Sequence, residues 1–168
     1  GLKLTDVRIP NTNRIGPLGG AFDAISLPMR RVEDALGAAK TAGAMRHRFN
    51  LLSKATAKRK VTEEIEVALG LLSTMPEAHS AMAWRAAELL DSRREGTEET
   101  LMALAAAAHQ TGNYIEGKVE AFINAWDIEV SDALAIANRD LVKSQAIAGY
   151  ARDLQARKRG QALLSTVV

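Results

Sequence analysis

The sequence predicts an all-α fold, a bundle or hairpin of long helices with an extended N-terminal arm, completed by oligomerisation. Three observations carry this. The apolar fraction is 47% while aromatic residues make up only 4%, so alanine, leucine and valine dominate, and the first two favour helices that approach closely. The chain has 4 prolines and none follows Pro76, leaving its C-terminal half free of the strongest helix breaker. Between Ile115 and Ala148, apolar or small residues recur at Ile115, Val119, Phe122, Trp126, Val130, Ala133, Ala137, Leu141, Ser144 and Ala148. Their 4-3-4 steps form an eleven-residue repeat, about 3.67 residues per turn, which holds one stripe on one side of a nearly straight helix. Such a stripe needs partners from this chain or from other copies. Alternation suited to a strand appears only briefly, from Lys3 to Ile9.

The arm comes first, over residues 1–25. Pro10, Asn11, Asn13, Gly16, Pro17, Gly19 and Gly20 reject a helix. Leu2, Leu4, Val7, Ile9, Ile15 and Leu18 are too many aliphatics for a solvated tail. The arm is therefore expected to lie across another subunit or along its own bundle.

A single α-helical domain is expected over residues 26–168. Ser26 is placed to cap its first helix, with Pro28 in the first turn. Ala35, Ala38, Ala42, Met45, Phe49, Leu52 and Ala55 form its inner stripe. Thr62, Glu63 and Glu64 suit a new helix start, yet nothing between Ser53 and Val61 forces a break. The expectation is one helix from Pro28 to about Leu72, about 65 to 70 Å long.

Ser73, Thr74, Met75 and Pro76 mark the next boundary, because Thr74 and Glu77 have capping-box spacing and Pro76 fits a first turn. The helix after it carries Ala78, Met82, Ala86, Leu89 and Leu90 inward and ends at Arg93, Arg94 and Gly96, the last suited to a left-handed closing residue. A break near 95–97 follows, and Thr97 caps a helix extending to about Gly160. Gly112 and Gly117 leave a kink at 111–117 and continuity equally open. Residues Ala162 to Val168 are apolar enough to dock on the body.

Charge is segregated along this framework. The formal net charge is only +2, but residues 1–60 carry +8, residues 61–132 carry −10 and residues 133–168 carry +4. The acidic middle can therefore attract both ends, within a molecule or between neighbours. Arg46, Arg48, Lys54, Lys58, Arg59 and Lys60 form one basic stretch, and Arg152, Arg157, Lys158 and Arg159 another. These are the candidate anion- or partner-binding residues, since neutralising phosphates with such cations supplies affinity by counterion release. Aromatic interleaving for base stacking is missing, Phe49 falling on the apolar stripe. A solvated face paired with the acidic middle is the competing reading.

Chemical motifs are scarce. There are no cysteines, which removes disulfides, thiolate ligands and cysteine nucleophiles. His47, His79 and His109 do not converge, and helical metal-ligand spacings are absent. Glu116 and Glu120 share a helical face, as do Glu95 and Glu99, but nothing in the sequence separates their environments as acid/base work requires. No catalytic residue, cofactor or metal is expected, and no small-molecule substrate. Trp126 and Phe122 are expected in helix packing, within the bundle or between subunits, and Trp84 at an interface.

These observations favour a non-enzymatic structural or assembly component of a multi-subunit complex. Alanine-rich helical chains with arms are common in virion-internal, tail and secretion-apparatus parts, an analogy of composition alone. Its partners would be other copies of itself and other subunits. The alternative is a helical protein that binds nucleic acid or an anionic membrane through residues 40–60 and 152–159.

Overall fold

The structure, a computed structural model, describes residues 3–92, 94–146 and 149–165 but not the side chains of 144–146, 149–152, 154 and 155. Among these residues the chain is all-α, with helices α1 (Leu27–Thr56), α2 (Glu63–Ser92), α3 (Glu98–Ala125), α4 (Asp132–Ala146) and α5 (Gly149–Ser165). A 3-10 turn at Asn11–Asn13 lies in the arm, and a π turn at Phe22–Ser26 leads into α1.

Helices α1 and α2 form an antiparallel hairpin, α3 returns alongside both, and α4 runs back along α1. The expected inner stripe of α1 packs inward, with Ala42, Met45 and Leu52 buried. The main core joins Met45, Leu52, Ile65, Leu72, Ile115, Val119, Phe122, Leu134 and Leu141. A smaller cluster of Ala86, Leu89 and Leu101, with Ala35 and Leu104 against it, closes the other end. Helix α5 reaches the body where Arg159 donates to the Glu99 carbonyl, 3.4 Å away.

Several expected boundaries move. Ser26 makes no side-chain cap bond, because its backbone is already helical and the π turn runs straight into α1. The continuous helix over 28–72 does not form; it ends at Thr56, and Glu63 begins α2. Ser53 and Thr56 donate their hydroxyls back to the carbonyls of Phe49 and Leu52, at 3.0 and 2.9 Å, a bonding that weakens a helix end. Lys58, Arg59 and Lys60 then crowd like charges. Glu63, Glu64 and Glu66 suit the positive start of α2.

The break near 73–76 is absent, and Pro76 lies inside α2. Leu72, Pro76, His79, Ala83 and Ala86 form one buried stripe between α1 and α3. Packing of that stripe outweighs the local capping signal. The hydroxyls of Ser73 and Thr74 turn back to the carbonyls of Gly70 and Leu71, at 2.6 and 2.8 Å, instead of capping forward. Ala78, expected inside, is exposed.

The break near 95–97 forms as expected, with Gly96 at φ 78°. Helix α3 passes through 111–117 without interruption, and Gly112 is buried. The helix expected to reach Gly160 instead stops at Ala125. Asp127 adopts φ 47°, and the Ile128 N–H returns to the Ile123 carbonyl at 3.0 Å. This is the left-handed closure usually given to glycine or asparagine. Ser131 then caps α4, accepting from the Leu134 N–H at 3.3 Å. The eleven-residue stripe is thus divided between two helices: Ile115, Val119 and Phe122 are buried on α3 and Leu141 on α4, while Ala137 is half-buried and Val130 and Ala133 are exposed; the register of α4 buries Leu134, outside the stripe, instead. The side chain of Ser144, and Ala148 entirely, lie outside the described residues, as does Arg93.

Candidate interaction surfaces

The first basic stretch divides by what each cation touches. Arg46 forks onto Glu77 of α2, with hydrogen bonds of 3.1 and 2.9 Å. Arg48 is buried and ion-paired with Glu116 of α3. Arg59 donates to the Asp127 carbonyl at 3.1 Å. Arg31, not singled out in the sequence, meets Glu98 at 2.7 Å. Arg48 and Arg59 each reach the residue 68 positions on, and Arg31 falls one step short of that spacing. Parallel packing of α1 on α3 is therefore marked by arginines at both ends and the middle.

The acidic middle thus takes up much of the positive charge of α1 within one molecule. Lys54, Lys58 and Lys60 are exposed with no ion pair among the described residues. They cluster at the α1–α2 turn.

The second basic stretch lies elsewhere. Arg157, Lys158 and Arg159 are exposed on α5, and the side chain of Arg152 is outside the described residues. Arg159 contacts the start of α3, whereas Arg59 contacts the residues just beyond its end. Helix α3 has 28 residues, which at 1.5 Å per residue separates the two clusters by about 42 Å. The structure does not bring the two stretches into one site.

Arg48 and Glu116 form an ion pair in which burial perturbs both partners. Arg48 is 4% exposed. Burial pulls its pKa down and pushes that of Glu116 up, each against the attraction of its partner. Glu120, one turn on, pushes Glu116 further in the same direction. The environment that distinguishes the two carboxylates, not legible in the sequence, comes from α1 crossing α3 at Arg48. The Arg48 Nε has no hydrogen-bond partner. The geometry is that of a buried structural ion pair, where desolvation is offset only in part.

His79 is 1% exposed, and neither ring nitrogen is hydrogen bonded. Burial lowers its pKa below the ordinary histidine value; the Ala38 carbonyl opposes this from nearby without meeting hydrogen-bond geometry. His109 faces Asn113 at 3.2 Å, and His47 is exposed. Among the described residues no group of three potential ligands could hold a metal ion. No described helix is long and apolar enough to cross a membrane.

The aromatic candidates also separate. Phe122 is buried and meets Trp126 edge-on, with ring centroids 6.4 Å apart, so both pack within this chain. Trp84 is 73% exposed on the outer face of α2.

Apolar exposure is concentrated at the N-terminal end. Residues 3–19 are exposed throughout, including Leu4, Val7, Ile9, Ile15 and Leu18. At Gly16 the arm passes close to Ile25, where a Cβ would come 3.2 Å from that side chain. Met29, Val32 and Leu36 continue the exposed apolar surface on α1. Leu163 and Leu164 of α5, expected to dock, are exposed, and residues 166–168 lie outside the described residues.

No protein-family model, curated protein or solved structure matches the chain.

Proposed function

We propose that this protein is a non-enzymatic structural component of a multi-subunit assembly, of virion-internal, tail or secretion-apparatus type. It acts through helix packing and arm contacts with copies of itself and with other subunits. The observation that carries the reading is the exposed apolar arm continuing into the outer face of α1. Contiguous apolar exposure beyond a few hundred Å² marks an interaction surface. Charge adds to this reading, because the arginines of α1 are mostly engaged inside the molecule and leave the apolar face to direct assembly. The test is the mass of the full chain in solution, compared with that of a chain lacking residues 1–19. The full chain forms multimers that the shortened chain forms more weakly; equal mass at every concentration would oppose a role for the arm.

A second reading has its own observation. Lys54, Lys58 and Lys60 at the α1–α2 turn suit phosphate contacts with nucleic acid or an anionic membrane. Retention on mixed-sequence DNA or on phosphatidylserine vesicles at low salt, lost when the three lysines become glutamate, would support it. No retention at low salt would end it.

A further inference from the structure

Outer positions of α1 follow a coiled-coil spacing and are left exposed among the described residues. Met29, Val32, Leu36, Ala39 and Gly43 are separated by 3, 4, 3 and 4 residues and are all exposed. Alternate three- and four-residue steps keep one seam toward a partner helix. At 3.6 residues per turn the seam is centred about 130° around the helix from the inner stripe, so it forms a separate exposed face that borders the core at Ala35 and Ala39.

Trp84 belongs to the same face. The Arg46–Glu77 pair fixes where antiparallel α1 and α2 are level. Seven residues are about two turns, so stepping back from Arg46 to Ala39 and forward from Glu77 to Trp84 leaves these two residues side by side.

Size along the seam is graded. Its first half carries Met29, Val32 and Leu36, and its second half Ala39 and Gly43. A Cβ placed on Gly43 would meet nothing within 4 Å, so that position is open and, lacking a side chain, leaves a gap along the seam. Antiparallel pairing with an identical seam sets large against small, Leu36 against the partner's Ala39 and Val32 against the partner's Gly43. The same register puts Glu33 beside Lys40 of the other copy, twice by symmetry. Both residues are exposed, and neither has an ion pair among the described residues.

Area is in keeping. Met29 is 57% exposed, Val32 47%, Leu36 65% and Trp84 73%. With aromatic side chains contributing about 150–250 Å² and aliphatic ones less, these four offer roughly 500 Å². Adding the rim of Glu33, Lys40 and Arg46 brings the face to the scale of the roughly 800 Å² each partner contributes to a standard interface.

We infer that a second copy of this chain docks on the outer face of α1, antiparallel about a twofold axis between Leu36 and Ala39, with Glu33 and Lys40 paired across it. This rests on the assembly reading and names its first contact. An isologous interface requires each residue pair to occur twice, which makes the charge pair a sensitive probe.

The experiment is the dimer dissociation constant of the full chain by sedimentation for the parent, Glu33→Lys, Glu33→Lys with Lys40→Glu, and Gly43→Leu. Glu33→Lys places four like charges at the two contacts and weakens the dimer about tenfold or more, and the double exchange restores it to within about threefold. Gly43→Leu puts a large side chain where the partner's Val32 must fit and weakens the dimer at least as much. Its thermal unfolding, measured at a concentration where the chain is monomeric, stays at or above that of the parent, since the site is open and leucine is the better helix former. Multimers indifferent to Gly43→Leu, or a double exchange that restores nothing, would overturn the seam and leave the assembly reading standing. A parent chain monomeric at every concentration would overturn both.

Discussion

Arg48 on α1 and Glu116 on α3 form a buried ion pair in which burial works against both charges. It lies midway along the parallel α1–α3 contact, between the Arg31–Glu98 pair and the Arg59 bond to the Asp127 carbonyl. Removing one partner leaves the other charge without compensation. Arg48→Met therefore lowers unfolding stability by about 3–5 kcal/mol. Arg48→Met with Glu116→Leu regains most of that loss, because an apolar pair needs no desolvation. Chemical denaturation of the three chains checks this, and a double variant no better than the single one would contradict it.

His79 gives the fold a sensitivity to acid. Its folded pKa lies below the ordinary value of 6.5, so over that interval the unfolded chain binds more protons than the folded one. Stability from the neutral ring is full above pH 6.5 and is lost as pH falls through the folded value. His79→Leu removes this component. Thermal unfolding followed from pH 8 to pH 5 should fall more steeply for the parent than for the variant; parallel curves would contradict the assignment.

Pro76 poses a question of magnitude. Proline inside a helix costs about 3 kcal/mol relative to alanine. Its buried ring returns about 1.6 kcal/mol through the two CH₂ groups alanine lacks. Pro76→Ala is therefore expected to stabilise the chain by about 1 kcal/mol, restoring an N–H that can reach the Leu72 carbonyl. A denaturation midpoint that falls would show that the ring's packing matters more.

Leu52 and Leu134 are both fully buried, on α1 and α4. Either changed to alanine leaves a cavity in the core they share and costs about 3–4 kcal/mol. A loss near 1 kcal/mol at Leu134 alone would mean that α4 contributes little to that core.

What the sequence made legible follows from the range of the physics involved. The inner stripe of α1 from Ala35 to Ala55 and the closure at Gly96 depend on helical period and on one residue's backbone freedom, both local. Pro76 misled because the packing of α2 between two helices overrides a local stop. The stop at Asp127 is not legible because the left-handed closure there, Ile128 N–H to the Ile123 carbonyl, is made by an aspartate where glycine is usual; what fixes it is the burial of Ile128 in the main core, which only the fold shows. The eleven-residue stripe was a real periodicity that happened to span a turn. At the candidate surfaces, segregated charge correctly suggested attraction between the first and middle segments, but not which arginines would be used or that Lys54, Lys58 and Lys60 would remain unpaired. The outer seam of α1 was hidden beside a stronger inner stripe on the same helix, and only burial distinguishes them.

Assembly is the central claim, and the most direct test is the mass of the full chain by sedimentation from micromolar to near-millimolar concentration, at low and high salt. Apolar docking on α1 and the arm predicts multimers that persist at high salt, because screening weakens exposed charge pairs but not apolar burial. A strict monomer across the whole range would contradict the account.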